Sequence, residues 1–180
     1  ALYRRVIVDN NAKLDDLINA VARGEGWLAF ATETSGLHLK KDLPFLITLT
    51  FTGSSFALII DNLDTNKIQK LFDEMKHYEF VLGHNVKFDL HMLANLGISY
   101  KHSNLADTMT IARLSLDTDE VMTIALKSLA KRYLHADADE DEKLVKTAIT
   151  AIKRANTAHL KTLLKEAGKT KKKDKAVSGQ

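Results

Sequence analysis

The sequence predicts an α/β layer fold, a mixed sheet of five strands flanked by helices. Strands come first and helices after, one strand-helix-strand crossover links them, and no internal repeat is visible. Tyr3 to Val8 alternates weakly and reads as the first strand. Leu14, Leu17, Ile18 and Val21 then recur at helical spacing between Lys13, Asp15, Asp16 and Asn19, and Gly24 and Gly26 close that helix. Trp27 to Thr32 is the second strand, followed by a loop to Pro44. Phe45 to Phe51 and Phe56 to Ile60 flank the turn signal Thr52-Gly53-Ser54-Ser55, a hairpin that makes the three central strands consecutive and antiparallel. Asp64 or Thr65 can cap a helix carrying Ile68, Leu71, Phe72 and Met75. Glu79 to Leu82 is the fifth strand, broken by Gly83. The segment from Lys87 to Leu96 carries Phe88, Leu90, Met92, Leu93 and Leu96 and stops at Gly97. The later segments Asp107 to Leu114, Asp119 to Tyr133 and Asp141 to Leu164 are expected to be helical.

With 180 residues, 45% of them hydrophobic, the chain can bury one sizeable core, and a second full domain is not expected. The expected division is one globular domain over 1–164 and a basic tail or linker over 165–180. The net charge is +3, and much of the positive charge sits late, in Lys161 at the end of the domain and in Lys165, Lys169, Lys171, Lys172, Lys173 and Lys175 of the tail. Such a tail could hold phosphates, but a solvated terminus is the plainer reading because it contains no aromatic residue. Without cysteine there can be no disulfide or thiolate metal site, so any metal must be held by oxygen or imidazole. No apolar run reaches ~18 residues and no signal pattern opens the chain, so a cytoplasmic protein with no membrane contact is expected. Ala1 in place of Met reads as a processed product or a piece of something longer.

The chemistry is concentrated in two short stretches. Residues 31 and 33, in Ala31-Thr32-Glu33-Thr34-Ser35-Gly36-Leu37, project side by side, because positions i and i+2 of a strand share a face. Two carboxylates at that spacing could hold a pair of divalent ions roughly 4 Å apart and align water and leaving group for phosphodiester hydrolysis. Here one of the two is a methyl group. The second stretch is Gly83-His84-Asn85-Val86-Lys87-Phe88-Asp89, in which Asn85 and Asp89 bracket an aromatic. Asp107 is an N-cap candidate first and a site residue second. His84, His91 and His102 lie near the second stretch without zinc spacing and read as surface or packing residues.

Together with Ala106-Asp107-Thr108-Met109 and Leu126-Lys127-Ser128-Leu129-Ala130, these motifs resemble, in order and to about Leu134, the proofreading 3′-5′ exonuclease domain of family A DNA polymerases, especially bacteriophage ones. That family lies among the RNase H-like DEDD exonucleases. The resemblance implies an RNase H-like sheet and Mg²⁺ or Mn²⁺ held by Glu33 and Asp89. It also implies a missing first catalytic Asp at Ala31, and a terminal nucleotide met by Thr34, Leu37, Asn85 and Phe88, Leu37 wedging and Phe88 stacking. Because every neighbour still fits the motif, a deliberate Asp-to-Ala change is favoured over drift, which would have eroded Glu33 and Asp89 as well. For the third motif, only His135 and Asp139 match in spacing. An acidic helix start is the competing reading of that segment, and the motif could instead lie beyond Gln180. The implied partners are a single-stranded DNA 3′ end or primer-template DNA and a covalent polymerase domain downstream, in a phage-infected bacterial host. No polymerase palm motif is present, so nucleotide addition cannot be performed by this stretch alone. The alternatives are a non-catalytic module that holds single-stranded DNA with the same fold, and an RNA-directed exonuclease of the same superfamily.

Overall fold

The computed structural model describes residues 4–115 and 124–134. The chain divides after Ile124, and the units on either side are taken separately. In the first, the order is β1 (Arg4–Val8), α1 (Asn11–Arg23), β2 (Trp27–Thr34), β3 (Pro44–Phe51), β4 (Ser54–Ile59), α2 (Thr65–Glu74), β5 (Phe80–Gly83), α3 (Val86–Asn95), β6 (Leu105–Asp107) and α4 (Thr108–Ser115). In the second, the described residues contain α5 (Leu126–Tyr133).

The strands form one mixed sheet in the order β1-β4-β3-β2-β5-β6. β3 runs antiparallel to both β2 and β4, as the hairpin signal predicts, and the remaining neighbours are parallel. The turn between β3 and β4 is tighter than expected. Thr52 and Gly53 both have positive φ, 49° and 71°, the geometry of a two-residue hairpin turn, and β4 already begins at Ser54.

The sheet has six strands, not five. The additional strand, β6, is only Leu105–Asp107, parallel to β5 in the register Val81↔Leu105 to Gly83↔Asp107. Three residues are too few to show alternation, and Asp107 looked like the start of the following helix. That helix begins one residue later, at Thr108. Of the helix expected from Asp119 to Tyr133, the described part is helical from Leu126 to Tyr133, after an extended Ala125, and 119–123 lie outside the described residues. The expected helix from Asp141 to Leu164 lies outside the described residues.

One face of the sheet is apolar because the strands alternate. Leu28 and Phe30 of β2, Ile47, Leu49 and Phe51 of β3 and Leu58 of β4 are buried together with Leu14, Leu17, Ile18 and Val21 of α1 and Ile68, Leu71 and Phe72 of α2. Phe30 meets Phe72 edge-on at 5.5 Å between ring centroids. The opposite alternation carries small and polar side chains, namely Ala29, Ala31, Thr48, Thr50, Ser55 and Ala57, with the Thr50 and Ser55 hydroxyls 3.0 Å apart. Caps fix the helix starts. The Asn10 side chain accepts from the Lys13 amide at 3.0 Å, and Asp64 accepts from the Asn66 amide at 2.7 Å.

Candidate functional site

The site grows from the far end of β2. β5 pairs with β2 only from Trp27↔Phe80 to Ala29↔Leu82, so the last part of β2 runs on without that neighbour. α3, entered from β5, closes the gap. Asp89, in its first turn, is 6% exposed and accepts two hydrogen bonds on Oδ1, from the Thr32 amide at 2.8 Å and from the Thr32 hydroxyl at 2.7 Å. The carboxylate thus takes the place of a missing strand partner. Burial pushes the Asp89 carboxyl above its ordinary value of 3.8, the two Thr32 bonds pull it back, and the Asp107 charge adds to the rise.

Ala31 and Glu33 share the other alternation of β2, and both are exposed. Thr32 lies between them in sequence, and it is the residue to which the structure joins Asp89. The pairing register shifts between Glu33 and Thr34, a bulge of the kind that re-aims side chains at strand ends. Just past it the Thr34 hydroxyl donates to the Gly36 carbonyl at 2.7 Å. Leu37 stands out on the following loop, 83% exposed, so it is no core residue. Phe88 is half-buried beside Asp89.

The turn into α3 is held from below. Asn85 adopts the left-handed conformation, φ 61° and ψ 43°, which asparagine tolerates better than most residues, and its side chain makes no capping bond. Its amide donates to Asp107 Oδ1 at 2.9 Å, and the same oxygen accepts from the Met109 amide at 2.9 Å. Asp107 is therefore the expected cap of α4 and also a clasp on the Asn85 turn. Gly83 fits here because a Cβ would stand 2.6 Å from Val86 Cγ2. The Thr108 hydroxyl donates to the Gly83 carbonyl at 3.0 Å, so His84 Nδ1, 3.0 Å from that hydroxyl, must be the donor to it. His91 and His102 are exposed.

Thr32 is the functional residue that the sequence reasoning missed: the stretch was read for residues 31 and 33 on either side of it, and nothing in it marks Thr32 as the partner of Asp89. His135 and Asp139 lie outside the described residues. Among the described residues no group of three or more His, Asp or Glu side chains could hold a metal ion. The described residues do not by themselves fit a two-metal site. Ala31 offers a methyl group, Asp89 Oδ1 is already engaged twice, and Glu33 is the other carboxylate of the motif.

This sheet, with a carboxylate-bearing helix closing the end of a central strand, is the RNase H-like fold of 3′-5′ exonucleases. It is similar to the Nibbler EXO domain of Aedes aegypti (TM-score 0.59, 16% identity, 73% of this chain and 68% of that one). It is likewise similar to RNase D of Escherichia coli, described as an exoribonuclease involved in structured RNA processing (0.58, 17%, 74% and 34%). NrnC of Brucella melitensis with bound Mg²⁺ is a further neighbour (0.54, 18%, 73% and 61%).

The chain belongs to the 3′-5′ exonuclease family of the DNA polymerase A type, whose family model matches residues 5–166. It is similar to the DNA polymerase DpoZ of Salmonella phage PMBT28, 31% identical over 115 residues that make up 63% of this chain and 18% of that protein. The DpoZ of Acinetobacter phage SH-Ab 15497 is 29% identical over 110 residues, 61% and 17%. Each match spans less than a fifth of the phage protein. No helix among the described residues is long and apolar enough to cross a membrane.

Proposed function

We propose that this chain is the proofreading exonuclease domain of a phage DNA polymerase, that it receives the 3′ end of single-stranded DNA where β2 meets α3, and that Ala31 impairs hydrolysis. The observation that carries the reading is the buried Asp89 carboxylate fixed to Thr32 between residues 31 and 33, with Leu37 exposed and Phe88 half-buried nearby. The two phage DNA polymerases among its relatives support DNA as the nucleic acid. On this reading Leu37 wedges against the last nucleotide and Phe88 stacks on its base, since an aromatic face accepts any base. Asn85 and Thr34 would contact the strand. The exonuclease domain would extend over 1–164, with 165–180 leading as a basic linker to a polymerase domain, in the cytoplasm of an infected bacterium.

The family chemistry calls for Mg²⁺ or Mn²⁺, and in this chain such an ion would find Glu33 and Asp89. A carboxylate shared by two cations is lost at position 31, so charge stabilisation at the reacting phosphate falls with metal affinity. Binding of DNA should outlast catalysis. A 5′-fluorescein-labelled single strand with a free 3′ end should bind in a salt-sensitive way, and Phe88→Ala should weaken it by about 1–3 kcal/mol. Equal affinity for the variant would return Phe88 to packing and remove the base platform. On a gel of 5′-labelled strand with Mg²⁺, this chain should leave the strand intact, and rapid stepwise shortening would overturn the impairment.

A further inference from the structure

The β2–β3 loop is short of apolar cover yet closely tied. The Ser35 amide donates to the Leu43 carbonyl at 3.0 Å, and the Leu43 amide returns a bond to the Ser35 hydroxyl at 3.2 Å. Inside that bracket the Asp42 carboxylate accepts from the His38 amide at 2.6 Å, and the Lys41 and Asp42 amides both donate to the His38 carbonyl. A Cβ on Gly36 would stand 2.4 Å from Asp42 Oδ2, so the chain passes the carboxylate closely. These bonds shape the loop but do not locate it on the body of the protein. Asn95, the last residue of α3, does so: its Nδ2 donates to the Leu39 and Asp42 carbonyls, both at 2.9 Å.

We propose that Asn95 is a positioning residue for the 3′-terminal nucleotide. Its amide locks the loop that carries Leu37 to the helix that carries Phe88 and Asp89, so that the wedging and stacking side chains share one frame. The proposal rests on the functional reading above. The chemistry is specific to asparagine at this place. Two carbonyl oxygens can be satisfied by the two hydrogens of one NH₂ group, whereas a carboxylate of the same size would face both with acceptors only. The Leu37 side chain, 83% exposed, packs on little of the body, so its place is set by the backbone that carries it. A leucine that must meet a base at a fixed height needs its backbone fixed, because an apolar contact carries no direction of its own.

The test uses the full chain and its Asn95→Ala, Asn95→Asp, Leu37→Ala and Leu37→Ala/Asn95→Ala variants. Anisotropy of a 5′-fluorescein oligothymidylate with a free 3′ hydroxyl reads binding, and hydrogen exchange of the Ser35, His38, Lys41 and Asp42 amides reads the loop. Each neutral hydrogen bond is worth about a two- to tenfold change in an opening equilibrium, so these amides should exchange at least about fivefold faster in Asn95→Ala. Asn95→Asp should exceed it. Asn95→Ala should weaken the oligonucleotide about as much as Leu37→Ala does, and the double variant should be no weaker than either, because both remove one coupled element. Faster exchange with unchanged affinity, multiplying effects in the double variant, or unchanged exchange each overturn the positioning role while leaving the exonuclease reading in place. An unsubstituted chain that does not bind the oligonucleotide overturns that reading, and the positioning role falls with it.

Discussion

Replacing Thr32 by valine tests whether the buried carboxylate is held as described. Valine keeps the β-branch, so the strand loses little, and it keeps the amide that donates to Asp89 at 2.8 Å. What goes is the hydroxyl bond of 2.7 Å to a carboxylate that is 6% exposed. A hydrogen bond to a charged group is worth about 1.5–3 kcal/mol, and the added methyl returns up to about 0.8 kcal/mol. The net cost at pH 7 should be about 1–2 kcal/mol, or a Tm lower by about 2–8 °C in a chain of this size. The pH dependence follows from the same contact. Asp89 titrates above 3.8 in the folded protein because of burial, and losing a Thr32 bond moves it further up. The folded state then keeps its proton to higher pH than the unfolded chain does, so stability is lost as pH rises above 3.8, and more is lost in the variant. Thr32→Val should therefore be most damaging near pH 7 and least damaging below 3.8, where the carboxyl is protonated in both states. Urea denaturation at three or four pH values measures this. A penalty absent at pH 7, or constant with pH, would refute the reasoning.

Asp89→Asn keeps an oxygen for both Thr32 donors and removes the buried charge, so it should unfold at higher urea than the parent at pH 7. The gain should vanish below 3.8, and differential scanning calorimetry across that range checks it. Asp107→Ala strips the acceptor from both the Asn85 and the Met109 amide and should cost about 1–3 kcal/mol by chemical denaturation. Since the Asp107 charge helps raise Asp89, the same variant should lower the Asp89 titration followed by carboxyl ¹³C NMR, and a rise would contradict the assignment.

The central sheet was legible in the sequence because its strands are long enough to alternate and its turn residues are distinctive. Thr52-Gly53 marks the hairpin, and Asp64 stands where a cap belongs. β6 was not legible, since Leu105–Asp107 is shorter than one full alternation and its strand character comes from pairing with β5. Of the candidate site, Asn85 and Asp89 could be singled out because residues 83–89 resemble the family's second motif, while the left-handed turn at Asn85 was not read from the sequence. The partner of Asp89 could not be singled out, because nothing in a sequence says that a strand lacks a neighbour beyond Ala29, and that lack is what gives the Thr32 amide to a side chain. Asn95 was invisible for a similar reason. Its two acceptors are backbone carbonyls, which every residue has.

Position 31 has a consequence for how such a domain can change over time. Ala31 is exposed, and its side chain stands on the face away from the apolar core, where the described hydrogen bond at this residue runs to its carbonyl, from the Thr48 hydroxyl at 3.4 Å. An aspartate there would stand one strand repeat from Glu33, about 6–7 Å along the backbone, and near the end of the strand that Asp89 closes. Like charges gathered in this way oppose folding, so the fold gives residue 31 no reason to be acidic. On the proposed reading, selection for a stable protein would accept alanine there, and selection for hydrolysis alone would retain aspartate. Stability and activity would then be separate traits at this position, one open to loss while the other is untouched.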